Sequence, residues 1–224
     1  MYWNYLVPLI ALFLVIRSRY SLPGTAISLS SRIKIAIGGM AFAASLCLLV
    51  NGSLSLFHDI ELYQKTIDGP LLSSLFTIIS SVLIEELFFR GALVLILVAI
   101  LPIWSAILLA SLAFGIYHWF SFGVIGNVPA MLAVAITTGS FGAVMCYAYL
   151  RSHTLMVPVA IHAGWNLANA LLIDTSGRQM ALWSTQHPVP KEWSGFIVFI
   201  AAAALLMLFV GISASRSCTE SIRS

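Results

Sequence analysis

Glu85 and Glu86 stand side by side in Leu83-Ile84-Glu85-Glu86-Leu87-Phe88-Phe89-Arg90, within an apolar run that extends from Leu71 to Leu101. An ionised carboxylate near the middle of a membrane-spanning helix costs about 2.5 to 3.5 kcal/mol on insertion scales, and groups that bear this cost face a protein interior and serve a function. Glu86 and Arg90 are spaced i to i+4 with the acid N-terminal, the better orientation for a helical ion pair, so they can neutralise each other. Glu85 is rotated by about 100° from Glu86 and is not placed for that pairing in the same way. It is the carboxylate left for chemistry.

Two further clusters carry polar groups in apolar surroundings. His118 is the only histidine of its apolar run, which begins after Pro102. If the chain turns at Leu101 and Pro102 into an antiparallel helical hairpin, Glu85 and His118 are equally distant from the turn and fall at the same depth, about 24 Å along each helix. The third cluster is Ile161-His162-Ala163-Gly164-Trp165-Asn166, in which His162 and Asn166 share a helix face and Asn169 lies within reach of the same side. Ala163 and Gly164 let another helix approach closely.

A carboxylate, two imidazoles and an amide are enough for hydrolysis of a peptide bond without a covalent nucleophile. Glu85 is the candidate general base toward water. The Asn166 amide and a His162 N–H can donate to the oxygen that becomes negative in the tetrahedral intermediate. The sequence has no GxSxG in a strand-to-helix context, no cysteine beside these motifs and no HExxH, which weakens the serine, thiol and ordinary zincin alternatives.

The elements that must position these groups are membrane helices. Of 224 residues 60% are hydrophobic and only 8% charged, where a soluble domain carries about 25% charge. The expected fold is all-α: a polytopic transmembrane bundle of about seven spans enclosing an intramembrane polar cavity, with residues 1–224 a single integral membrane domain. The spans read as Tyr2–Ile16, Ile35 to about Leu56, Leu71–Leu101, Ile103 to about Phe120, Val128–Leu150, Thr154–Ile173 and Gly195–Ile212. Tyr2–Ile16 is followed, not preceded, by basic residues, so it reads as a retained helix and not a cleaved leader. Placing Arg17, Arg19, Arg32, Lys34, Arg151, Arg216 and Arg223 on one side leaves only Lys65, Arg178 and Lys191 on the other, which predicts an outward N-terminus and a cytoplasmic C-terminus. The net charge of +3 is explained by this topology and calls for no nucleic-acid partner. Cys47, Cys146 and Cys218 are widely spaced and read as small apolar fillers.

Glu85-Glu86-Leu-Phe-Phe-Arg90-Gly91, then Phe114-Gly-Ile-Tyr-His118, then His162-Ala-Gly-Trp-Asn166 resemble, in order and spacing, the three signature motifs of the CPBP family of intramembrane proteases, named for its CAAX-processing and bacteriocin-processing members. The resemblance covers roughly Leu72 to Leu172, the expected catalytic core. It implies an intramembrane endopeptidase acting on a membrane-associated protein or peptide in a bacterial inner membrane. Glu85 would activate water, His118 would help to hold that water, and His162 and Asn166 would stabilise the oxyanion. Glu86, Arg90 and Phe114 match positions that look structural or supporting. A glutamate-and-water mechanism without a cofactor is the preferred expectation, although Glu85, His118 and His162 also make a conceivable set for a divalent metal such as zinc. Two other classes use such residues: a proton-coupled transporter with a buried Glu/His relay, and a non-catalytic membrane scaffold descended from an enzyme. No internal repeat of the kind many transporters carry is visible, and all the candidate catalytic positions are retained.

Overall fold

In the computed structural model the described residues are 3–22, 27–57, 62–64, 71–171, 173–174, 183–185 and 193–223. Helices α1 (Trp3–Arg19) and α2 (Leu29–Phe57) are followed by α3 (Leu71–Glu86), a π-helical segment (Leu87–Val94) and α4 (Leu95–Ile100), which run on without a break. Then come α5 (Ile103–Ser121), α6 (Val128–Ser152), α7 (Met156–Leu171) and α8 (Trp193–Arg223). Three helices contain stretches long and apolar enough to cross a membrane, Leu29–Gly52, Ile103–Ser121 and Val128–Ser152, and α8 holds a shorter apolar stretch, Phe199–Ser215. Large apolar side chains point outward from them, with Leu49 67%, Leu108 68% and Leu208 60% exposed, whereas Glu86 and Arg90 are wholly buried. Carboxylate inside and leucine outside is the arrangement lipid selects. The chain is an integral membrane protein.

The expected helical fold is present, with one small addition: β1 (Leu62–Gln64), β2 (Ile173–Asp174) and β3 (Trp183–Thr185) form a sheet in the order β1-β3-β2, with β1 antiparallel and β2 parallel to β3. These strands lie in segments too polar and too short for a periodicity to show. The run from Leu71 to Leu101 is also not one α-helix, because Glu86 is followed at once by the π segment. Wider i to i+5 bonding is rare and often marks functional sites. Phe89, Arg90, Gly91, Ala92 and Val94 are buried there, against α1, α5 and α6. Lys65, Arg178 and Lys191, part of the charge-bias reading, lie outside the described residues, as do the side chains of Arg216, Arg223 and Cys218. Cys47 and Cys146 are buried free thiols.

The helices associate through residues without bulk. At Gly164 a Cβ would overlap the Met40 carbonyl oxygen of α2, and at Gly39 it would stand 2.8 Å from the Ile161 side chain of α7. A Cβ at Gly115 would stand 2.8 Å from the Ala135 carbonyl oxygen, and one at Gly139 would stand 3.3 Å from that of Ser111, so α5 and α6 are equally close. Lipid tails are as apolar as leucine, so close backbone approach and dispersion contacts, not exclusion from water, hold such pairs together. The α5–α6 turn is made by Gly123 and Gly126 at positive φ and by Asn127, whose side chain accepts from the Ala130 N–H. The chain breaks between α4 and α5 at Leu101 and Pro102, where the sequence places the turn. Asn51 of α2 donates to Asn169 of α7 at 3.4 Å, an interhelical polar contact beside the tight glycine crossing.

Candidate active site

The end of α3 and the π segment present Glu85, Glu86 and Arg90, α5 presents Phe114 and His118, and α7 presents His162 and Asn166. Glu86 and Arg90 form the expected i to i+4 pair, Nη1 to Oε1 at 3.2 Å, with both side chains fully buried. The second guanidinium nitrogen donates to the Gly142 carbonyl of α6 at 3.2 Å. The Phe114 ring covers the cation, with its centroid 4.4 Å from the guanidinium carbon. A desolvated cation over an aromatic face gains about 2 kcal/mol. This explains why an aromatic residue belongs at position 114: it shields the charge of one helix from the apolar wall of the next.

Glu86 has a second partner that the sequence did not reveal. His162 Nδ1 lies 2.8 Å from Glu86 Oε1, the oxygen that also accepts from Arg90. A carboxylate oxygen paired with a guanidinium is an acceptor, so the Nδ1 hydrogen is the one donated, and the ring is fixed in orientation and tautomer. The other face of the ring then points at Glu85, with Nε2 3.8 Å from Oε2. That oxygen of Glu85 is sealed from solvent and has no hydrogen-bond partner among the described residues, while the side chain as a whole is 16% exposed. Arg90, Glu86, His162 and Glu85 therefore form one chain of polar groups drawn from two rods, with Glu85 as its open end.

His118 stands on α5 with its ring against Phe114. Its Nδ1 is 2.8 Å from the Phe114 carbonyl oxygen one turn back, so the ring donates within its own helix and leaves Nε2 free of that bond. The His118 ring packs against Phe114 at 4.4 Å, and Phe114 in turn lies 6.1 Å from the His162 ring. No hydrogen bond or ion pair joins Glu85 to His118 among the described residues. His162 is the histidine whose Nε2 faces Glu85. Asn166 follows His162 by one turn and is half-buried. Glu85, His118 and His162 do not gather as a metal set, and no three His, Cys, Asp or Glu side chains among the described residues do.

An interlocked Glu, His and Arg group in the interior of a helical membrane protein is equipped for acid–base chemistry. The family described as Rce1-like, type II CAAX prenyl endopeptidase, matches residues 67–168, a segment that contains every residue of this site. That segment is similar to a family of peptide hydrolases, and it holds the three motifs that resemble those of the CPBP family. No curated protein and no solved structure matches it.

Proposed function

We propose that the chain cleaves a peptide bond of a membrane-associated protein or peptide in a water-accessible cavity between α3, α5 and α7, with Glu85 as the base that activates water. The observation that carries this reading is the clamped His162, held by Glu86 on one nitrogen and facing Glu85 with the other. In the proposed reaction Glu85 takes a proton from water as the water oxygen attacks the carbonyl carbon. His162 donates from Nε2, when that nitrogen carries a proton, and Asn166 donates from its amide, both to the developing oxyanion. As the intermediate collapses, the leaving amine takes the proton from Glu85. His118, whose Nδ1 is bonded to Phe114, has Nε2 left to accept from the attacking water.

The remaining roles follow from the same arrangement. Glu86 and Arg90 are positioning residues acting through His162, and Phe114 screens them. No cofactor is assigned a step. The proposed setting is a bacterial inner membrane crossed about seven times, N-terminus outside and C-terminus cytoplasmic. The substrate is left at the level of class, a membrane-associated polypeptide, because the residues identified touch the reacting bond and not the flanking sequence. Comparing the termini of membrane proteins in cells carrying the wild-type chain or Glu85→Gln, by mass spectrometry, tests the reading. Termini that depend on Glu85 are expected, and identical profiles from the two strains would remove it.

A further inference from the structure

On the outer face of the bundle, away from the Glu85 site, α5 and α8 stand apart over α6 and leave a groove of about 300 Å³ lined by Trp104, Tyr147, Met207, Leu208, Gly211 and Ile212. Its walls are apolar, and Trp104, Leu208 and Ile212 are 68%, 60% and 54% exposed. Gly211 keeps the floor open, since a Cβ there would stand 3.1 Å from the Tyr147 hydroxyl. A glycine inside a helix costs roughly 1 kcal/mol relative to alanine, so its presence is best understood through what it leaves room for.

The rim of the groove is charged. Arg151, in the last turn of α6, lies with its guanidinium 6.0 Å from the Tyr147 ring centroid and donates to the Ser215 hydroxyl of α8 at 3.1 Å. No carboxylate pairs with Arg151 among the described residues. Trp104 is the second residue of α5, which pairs antiparallel with α6 through a short turn, so the indole and the guanidinium mark the same end of the bundle. Tryptophan and arginine at one level, with an apolar channel running inward from them, reproduce the profile of a phospholipid: acyl chain, interfacial region, phosphate.

We propose that this groove is a binding site for one anionic glycerophospholipid, with an acyl chain along Leu208, Gly211 and Ile212 and the phosphate on Arg151. Charge selects this occupant over a second copy of the chain or a bare hydrocarbon. The Arg151 guanidinium, which no carboxylate meets among the described residues, offers a fork of donors that a phosphodiester accepts, and basic pockets between membrane helices bind lipid head groups. The bound lipid bridges α5 and α8 and so braces α8 against the hairpin that carries His118.

Native mass spectrometry of the full chain, released from micelles containing equal phosphatidylglycerol and phosphatidylcholine, tests this. The wild-type chain is expected to retain one phosphatidylglycerol in preference to phosphatidylcholine. Arg151→Gln is expected to reduce that preference about five-fold, the ratio set by roughly 1 kcal/mol per basic residue near a charged membrane surface, and Arg151→Lys to keep most of it. Gly211→Leu, which fills the floor, is expected to lose both lipids while eluting as a folded monodisperse protein. Equal retention of the two lipids by the wild-type chain, an unchanged preference in Arg151→Gln, or displacement of the signal by inorganic phosphate alone would each overturn the proposal.

Discussion

Nδ1 of His162 lies 2.8 Å from Oε1 of Glu86, although the two residues are 76 positions apart in the chain and belong to different helices. The carboxylate that helix spacing assigns to Arg90 therefore does two things at once. It neutralises a buried cation and holds an imidazole toward the neighbouring Glu85.

If Glu85 is the base, Glu85→Gln removes proton acceptance while changing almost no volume. Hydrolysis of a processed substrate should fall by about 10² to 10⁴, the usual contribution of a positioned general base, with expression and thermal unfolding unaltered. Assay of the purified variant against the wild-type chain measures this, and wild-type turnover would sink the assignment.

Removing Glu86 is a different experiment. Glu86→Ala strands the wholly buried Arg90 without its counter-charge, and breaking a buried pair in this way destabilises by about 3 to 5 kcal/mol. Glu86→Gln retains an acceptor for the His162 N–H but leaves the cation unbalanced. It should fold better than the alanine variant and still lose activity, by about 100-fold if the ring shifts by 1 Å. Comparing the two for both melting temperature and kcat against KM separates positioning from simple support of the fold.

Phe114→Leu preserves apolar bulk and deletes the aromatic face over Arg90. A loss of about 1 to 2 kcal/mol is expected from the cation–π contact, visible as a lower unfolding temperature in detergent. A variant as stable as the wild type would show that the ring only fills space.

Gly164→Ala tests the crossing of α2 and α7. The added methyl would overlap the Met40 carbonyl, so the helices must move apart, and overpacking of this kind costs about 1 to 3 kcal/mol. Because Gly164 is two residues from His162, activity should fall together with stability. Gly52→Ala, where a Cβ meets nothing within 4 Å, is the matched control and should leave both nearly unchanged.

Since Glu85, His118 and His162 do not gather as a ligand set, prolonged treatment with a strong zinc chelator is expected to leave cleavage intact. Loss of activity that added zinc restores would reverse this reading.

Much of this protein is legible from its residues one after another. Apolar composition and the lengths of the runs indicate a membrane bundle, because lipid admits few charged groups and demands helices. The i to i+4 spacing of Glu86 and Arg90 indicates their pairing, because a helix makes such residues neighbours whatever surrounds it. The expense of an unpaired acid in lipid singles out Glu85, and the turn at Pro102 is announced by a residue that cannot continue a helix. These are local properties. What only the tertiary structure decided is which histidine meets which carboxylate. His162 lies 2.8 Å from Glu86 and 3.8 Å from Glu85, on a helix whose approach to α2 is set by Gly39 and Gly164. The short sheet was likewise hidden, since two or three residues carry too little alternation to register until a distant strand pairs with them. Helical phase and interhelical distance are properties of packed surfaces, and one chain read in order contains them only implicitly.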